Sequence, residues 1–77
     1  MSLRASCQNI VAASQGPYRQ LHLEANRLRA DVARGALDVH EVWHELILAA
    51  TLAGVPARDA VVIIREGLSG AVLEALP

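Results

Sequence analysis

Pro17-Tyr18-Arg19-Gln20-Leu21-His22-Leu23-Glu24-Ala25-Asn26-Arg27-Leu28-Arg29-Ala30-Asp31-Val32-Ala33-Arg34-Gly35 is the stretch on which the fold turns. Tyr18, Leu21, Ala25, Leu28 and Val32 recur at alternating spacings of three and four. That pattern draws one narrow apolar stripe down a helix and fits no strand. Pro17 suits the first helical position, where a missing N–H costs nothing, and Gly35 is placed to end the helix. The opposite face holds Arg19, Glu24, Arg27, Asp31 and Arg34, which are predicted to be solvated and to pair as ladders of opposite charge.

The same rules parse the flanks. Upstream, Leu3, Cys7, Ile10 and Val11 keep helical spacing until Ser14-Gln15-Gly16-Pro17 breaks it, which predicts a first helix over about residues 3 to 13. Downstream, Asp38-Val39-His40-Glu41 resembles a capping box, with the Asp38 side chain accepting from the backbone and Glu41 reaching back. A third helix then runs through Trp43, Leu46, Ile47 and Leu52 to a stop at Gly54-Val55-Pro56. Its second half is apolar on nearly all sides, which marks either a central helix or an interface. Pro56 opens a fourth helix with Asp59 in its first turn and Arg65 in its last, as the helix dipole prefers, and Gly67 is read as its end. Ala71 to Leu76 is read as a short fifth helical segment. The expected fold is all-α: one domain over residues 1–77, a compact bundle of four main helices with a short C-terminal helical extension, able to sit within a longer protein.

Composition limits what such a domain does. Seventy-seven residues allow one core, and 53% of them are hydrophobic while only Tyr18 and Trp43 are aromatic. The core is therefore aliphatic, built from Leu, Val, Ile and Ala in closely packed helices. A net charge of −1 excludes the general basic excess that drives strong non-specific nucleic-acid binding, so any such contact has to be local. The single Cys7 has no internal disulfide partner and is expected to be a small buried thiol, as in a reducing, cytoplasmic compartment. Leu46 to Ala57, the longest uncharged stretch, is too short for a membrane span, and Gln8 and Asn9 interrupt any signal-peptide core.

Chemistry-bearing patterns are few. His40-Glu41-Val42-Trp43-His44 fits the H-E-x-x-H spacing in which two histidines one turn apart hold zinc and the glutamate is a general base. Such a site also needs a third ligand, for which Glu66 is the only later acidic residue at a plausible spacing, and a cleft that a chain this short has little room to build. The expectation is a capped helix with a polar surface, no stoichiometric zinc, no other cofactor and no catalysis. His22, beside the apolar stripe of helix two, is read as a boundary residue. Ser69 lies in Gly67-Leu68-Ser69-Gly70-Ala71, which lacks the final glycine of a nucleophile elbow and reads as a helix end. Ala49-Ala50-Thr51-Leu52-Ala53-Gly54-Val55-Pro56 resembles the first helix and turn of a helix-turn-helix repressor. The following helix, however, offers Arg58 as its main base-reading group and then the apolar run Val61-Val62-Ile63-Ile64.

Taken together, Cys7, Gly16, Leu21-His22-Leu23-Glu24-Ala25, Leu28, Val32, Gly35-Ala36-Leu37-Asp38, Ala49-Ala50, Gly54-Val55 and Ile64-Arg65-Glu66-Gly67-Leu68 form a pattern spanning nearly the whole chain. It resembles the helical domain that follows the catalytic domain in bifunctional DNA primase/polymerases of phages, plasmids and integrated elements. The chain departs from that pattern after Gly16, where an Arg-Asn pair is usual, and at His22, where asparagine is usual. The resemblance implies a non-catalytic accessory domain that helps its parent catalytic domain engage single-stranded template DNA or nucleotide. From the residues themselves, Arg19 with Arg27 on helix two and Arg58 with Arg65 on helix four are spaced to share a face. Side by side, the two helices would offer four guanidinium groups to a phosphate backbone. Glu24, Asp31, Asp59 and Glu66 are the carboxylates placed to neutralise them. The competing reading is an oligomerisation or adaptor module, a homodimer included, supported by the apolar runs Leu46 to Leu52 and Val61 to Ile64.

Overall fold

The computed structural model describes residues 2–13 and 15–69, and in them the chain forms four helices: α1 (Leu3–Ala12), α2 (Pro17–Ala33), α3 (Val39–Leu52) and α4 (Ala57–Gly67). All four main helices expected from the sequence are present, within a residue or two of the expected bounds. The predicted segment Ala71 to Leu76 lies outside the described residues. None of the described helices is long and apolar enough to cross a membrane.

Local chemistry sets the ends. Ser2 caps α1 by accepting from the Ala5 amide at 3.1 Å, and Asp38 caps α3 by accepting from the Glu41 amide at 3.3 Å. The reciprocal half of the predicted capping box is not formed among the described residues. Gly35 and Gly54 both take left-handed φ, at 81° and 94°, just past the ends of α2 and α3. After α2 the Gly35 amide donates to Val32 and the Ala36 amide to Asp31, and after α3 the Gly54 amide donates to Thr51 and the Val55 amide to Ala50. Both closures are Schellman motifs that satisfy otherwise orphaned carbonyls.

Packing follows the predicted stripes. Leu21, Ala25, Leu28 and Val32 of α2 are buried with Ile10 of α1, Val42, Trp43, Leu46, Ala49 and Ala50 of α3, and Ala60 and Ile64 of α4. Val55 and Leu68, just outside their helices, seal the core. The Asn9–Glu24 contact, about one turn before the end of α1 and two turns after the start of α2, makes α1 and α2 an antiparallel hairpin. Five residues separate α2 from α3, which starts at the end of the bundle where α1 began and so runs alongside α1 in the same direction. α2 and α4 also share a direction, since Tyr18 meets Asp59 near their starts and Ala25 meets Gly67 near the end of α4. The α1–α3 and α2–α4 seams therefore lie on opposite sides of the bundle.

One expectation needs correction: Glu24, assigned to the solvated face of α2, is fully buried. Gly67 ends α4 as expected, without a left-handed φ, and is pressed against Ala25. Within the apolar run Val61 to Ile64, Ile64 faces the core while Val62 is 55% exposed.

Candidate functional site

The chemistry of α2 and α4 is concentrated where the two helices begin. Pro17 at the first position of α2 removes one donor, and neither Gly16 before α2 nor Pro56 before α4 supplies a side-chain cap. The first-turn amides of these parallel helices thus point out of the same end of the bundle without the capping oxygens that α1 and α3 possess. Each helix start carries roughly half a positive charge from the aligned peptide dipoles. The Tyr18 hydroxyl donates to Asp59 Oδ2 at 2.8 Å and ties the two starts together. This bond holds the Tyr18 phenol above its ordinary pKa, with smaller contributions from burial and the Asp59 charge, while nearby Arg58 acts in the opposite direction. Arg19 follows Tyr18 in the same turn, and Arg19, Arg58 and the Tyr18 ring are all exposed.

Of the four arginines singled out from sequence, Arg19 and Arg58 therefore flank one site. Arg27 and Arg65 do not join them along the α2–α4 seam. Ala25 marks the side of α2 that faces α4, and Arg27, two residues further on, lies about 160° around the helix from it; Arg65 shares the side of α4 that carries Arg58 but stands about two turns, roughly 10 Å, further along the axis. Arg27 instead places its guanidinium 3.1 Å from Glu24 Oε2, on the side where α2 meets α1. The expected ladder on α2 forms as Arg27–Glu24 and Arg34–Asp31 ion pairs, each three residues apart. Asp59 is engaged by Tyr18.

Glu24 anchors a polar cluster inside the α1–α2 seam. Its Oε2 accepts from Asn9, Gln20 and Arg27, whereas its buried Oε1 and the buried Ser6 hydroxyl on α1 have no partner among the described residues. Sequence reasoning missed this cluster because a lone glutamate among arginines reads as surface; the only hint was Glu24 following Leu21 at the spacing of the stripe. It also missed Tyr18 as a site residue by assigning the ring to the apolar stripe.

His40, Glu41 and His44 of the H-E-x-x-H pattern are exposed, and among the described residues no three His, Cys, Asp or Glu side chains come together as a metal ligand set would. His22 is exposed. Cys7 is half-buried, donating from Sγ to the Glu45 carbonyl oxygen at 3.6 Å, and its thiol pKa is raised by burial and then by the Glu45 and Glu24 charges. Comparison of the chain with protein-family models, with curated proteins and with solved structures finds no match.

Proposed function

We propose that this chain is a non-catalytic accessory domain of a phage- or plasmid-type DNA primase-polymerase, acting in the cytoplasm beside a parent catalytic domain. In this reading it holds single-stranded template DNA or nucleotide through the common start of α2 and α4. The observation that carries the reading is the pairing of two uncapped, parallel helix starts with Arg19 and Arg58 around the exposed Tyr18. Open amides, dipole ends and guanidinium groups all favour phosphate oxygens, and an exposed ring offers a stacking surface for a base. The family resemblance gains support from the roles its positions take. Gly35 and Gly54 are left-handed turns, and Leu21, Ala25, Leu28, Val55, Ile64 and Leu68 are core.

Chemical-shift mapping during titration with a short single-stranded oligonucleotide at low salt tests this assignment. The amides of Tyr18, Arg19, Ala57 and Arg58 should move first. Shifts confined to α1 and α3, or none, would remove it.

A second reading, a homodimeric or adaptor module, draws on Leu48, Leu52 and Val62, which are 56%, 68% and 55% exposed. Such side chains are a cost on a small domain unless something covers them.

A further inference from the structure

α1 and α3 leave between them a groove of about 570 Å³ on the side of the bundle away from α4. Leu3, Cys7 and Val11 give it an apolar lining, and Arg4, Glu41 and Glu45 border it. The two helices run in the same direction, and Cys7 stands level with Glu45. One turn before that contact come Arg4 and Glu41; one turn after it come Val11 and Leu48. Each helix therefore carries a stripe, Arg4-Gln8-Val11 on α1 and Glu41-Glu45-Leu48-Leu52 on α3, charged at one end and apolar at the other. Val11, Leu48 and Leu52 are 47%, 56% and 68% exposed. Arg4, Glu41 and Glu45 make no ion pair among the described residues.

We propose that this face is covered by a second copy of the chain, in a parallel two-fold dimer whose axis runs along the α1–α3 groove. Rotation about that axis lays α1 of each copy over α3 of the other without changing level. Arg4 then meets the partner's Glu41 and the partner's Glu45, while Val11 meets the partner's Leu48 and the partner's Leu52. A two-fold interface must be self-complementary, and this face carries both charge signs and the apolar strip in the register such an interface requires. An unrelated partner would need only one sign. The proposal specifies the surface and occupant of the homodimeric reading and uses none of the residues assigned to phosphate, so either assignment can fail alone.

The test is sedimentation velocity of the untagged chain without nucleic acid, from about 5 to about 500 µM. The wild type should rise from its monomer mass of 8.2 kDa toward twice that value. Leu48→Glu and Arg4→Glu should each remain monomeric while keeping wild-type helicity and melting behaviour, because both positions are exposed. Combining Arg4→Glu with Glu41→Arg and Glu45→Arg should restore the dimer, since the exchange re-forms every pair with signs reversed. A wild type that stays monomeric throughout, or a dimer untouched by Leu48→Glu and Arg4→Glu, overturns the proposal. So does a folded triple variant that fails to dimerise.

Discussion

Gly67 of α4 lies against Ala25 of α2 so closely that a Cβ built on the glycine would stand 2.5 Å from the Ala25 Cβ and 3.3 Å from the Asn26 amide nitrogen. No side chain can swing aside there, because the obstruction is a methyl group fixed to its backbone and the backbone itself. This approach lets α2 and α4 run together and brings their starts to one end.

Gly67→Ala is therefore expected to destabilise the domain. Overpacking costs about 1–3 kcal/mol, and the better helix propensity of alanine returns at most about 1 kcal/mol of it. Urea unfolding followed by helicity reads the difference, and Ala25→Gly in the same chain should recover part of the loss. A Gly67→Ala variant as stable as wild type would mean that the helices do not meet here.

The buried cluster on the other flank of α2 makes opposite predictions for its two members. Glu24→Ala strips Asn9, Gln20 and Arg27 of a shared acceptor and should cost about 2–3 kcal/mol. Ser6→Ala removes a buried hydroxyl with no partner among the described residues and should be neutral or stabilising by up to about 1 kcal/mol. Melting temperatures of the two variants decide the matter; a large loss from Ser6→Ala would reveal a partner for that hydroxyl.

Tyr18 is the only tyrosine, so its ionisation can be followed by ultraviolet absorbance without interference from another phenol. Asp59, as hydrogen-bond acceptor, holds its pKa above the ordinary value of 10.0. The folded state then keeps a proton that the unfolded state loses. The resulting stability is present below the unfolded pKa and is lost as pH rises through and beyond it. Asp59→Asn should bring the titration back toward the ordinary value, and an unchanged midpoint would mean that the Tyr18–Asp59 bond does not persist in solution.

What the sequence revealed and what it hid divide along the range of the interactions. Pro17, Gly35, Asp38 and Gly54 act on their nearest neighbours, so element ends could be read from single residues, and the three-four spacing of Leu21, Ala25, Leu28 and Val32 named the core of α2. Glu24 follows the same helical geometry, yet its charge argues for solvent; only the arrival of Asn9 from α1 and of Gln20 and Arg27 from α2 makes burial tolerable. Tyr18 and Asp59 are 41 residues apart, and no local rule joins them. Seven- and eight-residue spacings placed each arginine pair on roughly one face, but where α4 would lie around α2 was not legible. That placement brings the starts of α2 and α4 together, with Arg19 and Arg58, and leaves Arg27 and Arg65 about two turns further along their helices.

The central claim, that the shared start of α2 and α4 binds phosphate, is tested most directly by anisotropy titration of labelled single-stranded DNA against the wild type and two double variants. The wild type should bind with a Kd on the order of tens of micromolar at low salt. Affinity should fall roughly tenfold over a roughly fivefold rise in salt, as about two neutralised phosphates dictate. Arg19→Ala with Arg58→Ala should abolish binding, whereas Arg27→Ala with Arg65→Ala should leave it within about twofold. No binding by the wild type, or equal loss in both double variants, would contradict the claim.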